Sequence, residues 1–395
     1  MIDHARIGQP LPWMAAAGIL LAAINLRPAL TSVSSQLSLI GEQLALSATA
    51  LGVLTTLPVL CLGAAAPLAP WLVRRVGQAR AVVALLVALS LALLLRPYGG
   101  TVGFFVGTAV AGSAMGALGV LLPALVKRDF PTRVSLMTGL YTMALNLGAA
   151  TAAGATEPLR LALGQSWQLA LALWGLPALV AVAVWLRGAG RPQPSPSPQG
   201  HRRMGRLLRD PLAWQVTAFM GLQSGLAYIV FGWLPVILAD RGLSTVSAGL
   251  ALSVAIVVSM GSAVGAPWAS ARLRDERFMN TATVTLFALG IAGCVYAPLA
   301  GLWLWIVLLG IGMGGAFAMA LTLLALRAPD VESAGQLSAM AQGFGYLLAA
   351  MGPLAVGLLH DAFGGWGATG ALLALMAALA LWSGLGAGRD RMVAG

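Results

Sequence analysis

Charge is scarce in this chain. Only 9% of its 395 residues are Asp, Glu, Lys or Arg, against about 25% in soluble domains. With 59% hydrophobic residues and a mean hydropathy of +0.88, that shortage excludes a water-soluble fold and implies an all-α membrane protein with many crossings. Cysteine is scarcer still. Cys61 and Cys294 both fall in apolar segments, so no disulfide framework is expected, and so few soft ligands leave no metal site. Nothing in the chain calls for a cofactor. The twelve acids all fall in loops or at segment ends, and so do His4, His201 and His360. The chain thus lacks the intramembrane carboxylate or imidazole relay that proton-coupled carriers commonly use. It also lacks HExxH, a buried Asp pair and a Ser/His pair at membrane depth, so it is not read as an enzyme.

Positive charge, by contrast, is in excess: the formal net charge is +11 and the pI about 11.1. Nucleic acid is not the expected partner, because the basic residues of membrane proteins collect in cytoplasmic loops. A helix needs about 20 apolar residues to cross the hydrocarbon core. Twelve such spans are predicted, at 11–33, 49–71, 79–95, 101–126, 134–156 and 166–186, then 212–238, 244–269, 281–297, 301–326, 333–359 and 366–385. The first is too long for a signal-peptide core and is read as retained. With the N-terminus inside, nineteen Lys and Arg fall on the inner side and only Arg96, Arg160 and Arg241 on the outer side. Both termini are therefore expected in the cytoplasm. Membrane lipid is one expected partner.

The longest polar stretch divides the chain into 1–186, a linker at 187–211, and 212–395. Its Arg191–Pro198 run cannot form a regular helix and reads as an extended linker. The Arg202–Arg209 cluster suits either an amphipathic piece on anionic lipid or a solvated loop that only sets topology.

One charge is left at membrane depth, Arg27, within Asn25-Leu26-Arg27-Pro28. Placing a charge there costs about 2.5–3.5 kcal/mol on insertion scales, and such residues face bundle interiors or wet cavities. Arg cannot escape by losing its proton. Without a protein counter-charge, the negative end of a solute is expected to balance it. The competing reading is a structural cap on neighbouring carbonyls. Pro28 should loosen the helix and free a carbonyl, and Asn25 is placed to accept from Arg27 or to bind solute. The Arg27 face continues through Thr31 to Ser34 or Ser35. Similar spacings place Thr138, Thr142 and Asn146 together on span 5, and Ser338, Gln342 and Tyr346 on span 11. Span 7 carries Gln223, Ser224, Tyr228 and Phe231. These amides and hydroxyls either bind solute or glue helices together. The aromatics either stack on a planar solute or pack between helices. The Gly112–Gly116 and Gly310–Gly315 runs read as close helix packing.

The two halves also match each other. A shift of 197 lays Ser47, Gly52, Pro70-Trp71, Arg75 and Arg80 on Ser244, Gly249, Pro267-Trp268, Arg272 and Arg277, and it lays Arg27 on Ser224. A shift of 198 lays Gly112, Met115, Gly116 and Pro131 on Gly310, Met313, Gly314 and Pro329. Six plus six helices as parallel repeats, with a central linker, are the layout of the major facilitator superfamily.

Motifs narrow this further. The run Asn25 to Val33, Leu54-Thr55-Thr56-Leu57-Pro58-Val59, Lys127-Arg128-Asp129-Phe130-Pro131 and Tyr141 to Gly148 are family-like, as are Met220 to Ser224, Trp233-Leu234-Pro235, Gln342 to Tyr346 and Gly352-Pro353. On these stretches the chain resembles the cyanate-permease and nitroimidazole-exporter family of that superfamily. The superfamily's usual signature between spans 2 and 3 is degenerate here: Arg74 stands at its Asp position, while Arg75, Gly77 and Arg80 remain. Asp129 is the candidate acid to lock a gate with Arg74 and Arg75. The resemblance implies a monomeric carrier of the bacterial inner membrane. It would move a small anionic or planar electron-rich solute by rocking its halves about Arg27. A proton-coupled exporter of apolar drugs is the alternative, and it predicts an intramembrane acid.

Overall fold

The computed structural model describes residues 12–65, 68–130, 134–189, 206–329 and 331–393, all helices and short connections. Most of the linker, with Arg191–Pro198, Arg202 and Arg203, lies outside the described residues. Ten helices are long and apolar enough to cross a membrane. The two other expected spans are helices as well. Span 2 is Ala48–Ala64, followed by a shorter amphipathic helix Leu68–Val76. Span 5 is Val134–Ala162, 29 residues long but diluted by Thr, Asn and Gly. This is the all-helical architecture of two six-helix halves.

Span 1 is broken rather than continuous. It runs Pro12–Ile24, turns through Asn25 to Arg27, and resumes as Pro28–Ser34. The cause is local. Pro28 has no N–H to give the carbonyl of Ile24, four residues back. The chain takes instead the tighter bonds Asn25 N to Ala22 O and Leu26 N to Ala23 O, both 3.1 Å. Span 5 packs against this break through Gly148, where an added Cβ would overlap the Ile24 carbonyl oxygen. That close approach brings Asn146, two residues earlier, up to Arg27.

The bundle has two ends. At the linker end, span 6 finishes and span 7 begins. At the far end, spans 2 and 8 begin and span 11 finishes. Each half has its own apolar core, one built on Leu86, Leu89 and Leu118 and the other on Phe219, Met319 and Leu323. A third core, with Leu54, Phe104, Trp233 and Ile256, draws on both halves. The halves meet mainly through span 2 against span 11 and span 5 against span 8.

The internal repeat is visible at these crossings. Ser47 caps span 2 by accepting from Ala50 N, and Ser244 caps span 8 by accepting from Ser247 N. Serine at this position satisfies a helix-start N–H that has no partner in the helix. One turn further, each helix meets the opposite half at a glycine. A Cβ on Gly52 would sit 3.2 Å from the Gly357 Cα, and one on Gly249 would sit 2.7 Å from Ala153 O. Beside the first crossing, Asp361 at the end of span 11 accepts from Ala48 N (3.0 Å), Thr49 N (2.6 Å) and the Thr49 hydroxyl. These side-chain hydrogen bonds join the halves at the far end, where Glu157 of span 5 also meets Thr245 at the start of span 8.

Gly148→Val is expected to lower the thermal stability of the purified protein, since forcing extra carbons into a packed contact costs about 1–3 kcal/mol. A melting temperature equal to wild type would show that the break in span 1 does not need this close approach.

Candidate functional site

The break in span 1 turns Arg27 toward the centre of the bundle. Its Nη1 donates to Asn146 Oδ1 at 2.9 Å. Its guanidinium carbon lies 5.2 Å from the Phe231 ring centroid and 5.8 Å from that of Phe317. No carboxylate is ion-paired with it among the described residues. Arg27, Asn146, Ser224, Tyr228, Phe231 and Phe317 line a cavity of about 420 Å³, closed further by Ser259 and Met313. Arg27 and Ser224, matched by the repeat, thus stand on one cavity. Tyr346 packs edge-on to Tyr228 with centroids 6.2 Å apart, and Tyr228 does the same to Phe231 at 6.1 Å. Tyr141, Tyr228 and Tyr346 all lie within electrostatic reach of Arg27.

The remaining polar candidates are used elsewhere. Asn25 is buried and donates to Leu21 O at 2.6 Å in its own helix, and its Oδ1 accepts nothing from Arg27. Thr31 donates to Ala149 O at 3.0 Å and joins spans 1 and 5. Ser34 and Ser35 bond to Thr31 O and Ser32 O. Thr31, Ser34 and Ser35 thus do not line the Arg27 cavity: short hydroxyls reach nearby carbonyls first. Thr142 bonds to Thr138 O for the same reason. Gln223 is fully buried and donates to Met220 O and to Ser224 Oγ, at 3.1 and 2.7 Å. It supports Ser224 from behind. Gln342 donates to Ser338 Oγ, one turn back on span 11.

Phe317, Ser259 and Met313 were not among the expected site residues. The glycines of span 10, which carries Phe317 and Met313, read there as close packing, and the repeat shift gives none of the three a polar or aromatic counterpart.

The gate reading needs correction. Asp129 is held by its neighbour Arg128 through two bonds of 2.6 and 2.8 Å, and Arg128 also donates to Gln78 Oε1 at 2.9 Å. Arg74 and Arg75 are exposed, and Arg75 rests over the Trp71 ring at 5.2 Å. Arg128 therefore ties the end of span 4 to the start of span 3 within one half, and Asp129 holds Arg128 in place. The second half has a parallel device. Arg327, at the end of span 10, is buried, bonds to Ala387 O at 2.8 Å and pairs with Glu276 just before span 9.

Two charges counted as outer-side loops also lie differently. Arg96 is 2% exposed; it donates to Ala29 O at 3.2 and 3.3 Å and covers the Phe104 ring. Arg160 grips Glu157, itself 2% exposed, and Gln36 donates to the same carboxylate at 2.8 Å. Glu157 is thus an acid buried in the fold, already neutralised and away from the residues lining the Arg27 cavity.

Two helical halves around a central cavity lined by Arg27, Asn146 and Ser224 fit a multi-pass membrane transporter. A profile of the Major Facilitator Superfamily matches residues 15–353. The 2-nitroimidazole transporter of Escherichia coli is 36% identical over 95% of this chain and 96% of its own length. The cyanate transport protein CynX of the same organism is 30% identical over 88% and 90%. An uncharacterized Bacillus subtilis transporter, YycB, is 38% identical over 95% and 94%. The chain belongs to the Major Facilitator Superfamily and, within it, groups with these relatives. In fold it is similar to the nucleoside transporter NupG (TM-score 0.75, 12% identity, 95% of this chain and 100% of that one). It is likewise similar to a D-xylose–proton symporter (TM-score 0.71, 14% identity, 97% of each chain).

Arg128→Ala should lower the melting temperature by releasing Asp129 and Gln78 together. Arg74→Ala and Arg75→Ala, at exposed positions, should each stay within about 0.5 kcal/mol of wild type. Equal losses for all three would restore the role of Arg74 and Arg75 in an interhelical lock.

Proposed function

We propose that this transporter moves a small anionic or planar electron-rich solute across the bacterial inner membrane, with both termini cytoplasmic, and that Arg27 holds the solute's negative end. The single observation carrying this reading is a guanidinium that faces a cavity while its side-chain hydrogen bond goes to a neutral amide, Asn146. A buried charge is stable only when paired and hydrogen-bonded. Asn146 fixes one N–H and Phe231 and Phe317 flank the group, so the remaining donors are available to an incoming anion or dipole. Arg presents them in a fork that matches two oxygens at once. Tyr228 and Phe231 offer ring faces and edges for a planar solute.

On this reading, solute binding lowers the desolvation cost of Arg27 and changes the balance between two arrangements of the halves. A ligand shifts such a balance only by its difference in affinity for the two states. With cytoplasmic termini, the far end faces outward, and the bonds of Asp361 to the start of span 2 close that side. Rocking would release them and part the Gly52 and Gly249 crossings. The alternative reading, a proton-coupled exporter of apolar drugs, draws no support from the cavity: its lining contains no carboxylate or imidazole. The relatives named for nitroimidazole and cyanate favour the first reading.

Arg27→Gln is expected to abolish saturable uptake of cyanate or 2-nitroimidazole into proteoliposomes while leaving expression and melting temperature near wild type. Asn146→Leu should weaken affinity without abolishing transport, by about tenfold for the loss of one charge-assisted hydrogen bond. Full transport by Arg27→Gln would reject the anchor role.

A further inference from the structure

We infer that the solute site has a second chamber, which receives the ring of a planar heteroaromatic solute while the ring's anionic or strongly dipolar substituent rests on Arg27. The inference depends on Arg27 being the solute anchor and adds the class of solute and the residues that select it. A separate void of about 350 Å³ lies on the far-end side of Arg27. Its walls include Leu30, Val33, Leu54 and Pro58, and it shares Tyr228 and Phe231 with the Arg27 cavity. The two shared rings meet edge to face at 69°, so an aromatic partition joins the two voids.

One polar group in the second chamber has nothing to do. Thr108 lines it, is 3% exposed, and its hydroxyl has no hydrogen-bond partner. Thr55 in the same wall behaves differently, donating to Leu51 O and Gly52 O in its own helix. Ser32 and Thr56 also bury hydroxyls without partners, but neither lines either of these two voids. A buried hydroxyl left unpaired is costly. Here it sits in the wall of the void, among apolar side chains and two aromatic rings, where a ring heteroatom would complete it. A linear three-atom anion satisfies Arg27 but leaves these walls untouched. A five- or six-membered ring reaches both.

The test is binding of two probes, 2-nitroimidazole and cyanate, to purified full-length protein. Wild type should bind the ring probe more tightly. Thr108→Val keeps the shape and removes the hydroxyl; it should raise the 2-nitroimidazole Kd about 3- to 10-fold, the worth of one hydrogen bond. Cyanate affinity should move far less and melting temperature should not fall. Leu54→Phe, which fills the chamber, should abolish binding of the ring probe and spare cyanate. If Thr108→Val leaves both probes unchanged or weakens both equally, or if wild type binds cyanate as tightly as the ring probe or binds neither, the second chamber is rejected. Arg27→Gln separates the two ideas. Loss of both probes there, with neither moved by Thr108→Val, overturns the chamber alone; both probes retained by Arg27→Gln overturns the anchor.

Discussion

The structure depends on one electrostatic constraint: the Arg27 guanidinium is held in the bundle interior with no acidic partner among the described residues. Desolvating an ion without compensation costs several kcal/mol even after the protein relaxes. The fold reduces that cost without cancelling the charge. Asn146 contributes an amide oxygen, and the Phe231 and Phe317 rings turn toward the cation. Rings so placed attract a cation by about 0.5–2 kcal/mol, depending on desolvation. The charge is therefore tolerated rather than neutralised. That is the condition a binding site needs when its ligand is to supply the missing negative end.

Everything that positions this group can be traced to a missing N–H. Pro28 interrupts span 1, the interruption swings Arg27 inward, and Gly148 lets span 5 come close enough for Asn146 to reach it. The same economy governs the contacts between the halves. Small residues let helix backbones approach closely where lipid supplies no hydrophobic drive. Gly52 and Gly249 do so at equivalent places in the repeat. Such contacts lock few side chains, which suits surfaces that must part and re-form.

Much of this was legible in the sequence, and the failures have a common cause. Helix number and the internal match could be read because apolar length and landmark order survive any detail of packing. The inward-facing place of Arg27 could be read because a lone membrane charge has few explanations. Its partners were harder. Asn146 was on the expected face of span 5, yet Thr142 on the same face was satisfied by Thr138 O. Spacing along a helix cannot tell whether a hydroxyl spends its hydrogen bond on its own backbone. Span 1 failed for a related reason: a face drawn through Arg27, Thr31 and Ser35 assumes a regular helix, and Pro28 breaks it. Arg96 was counted as a loop charge because it follows an apolar run. It instead folds back onto Ala29 O, a tertiary contact that no local pattern announces. Phe317 left no trace, since an aromatic among small residues looks the same whether it faces a neighbour or a void.

The clasp at the far end has a genetic consequence. Asp361 is held in part by main-chain N–H groups of Ala48 and Thr49, and, short of proline, no replacement in that stretch removes a main-chain donor. Variation can therefore loosen the clasp chiefly from the acceptor's side. Second-site revertants of a lost Asp361 should bring in a new carbonyl or carboxylate near the end of span 11, leaving the start of span 2 as it was.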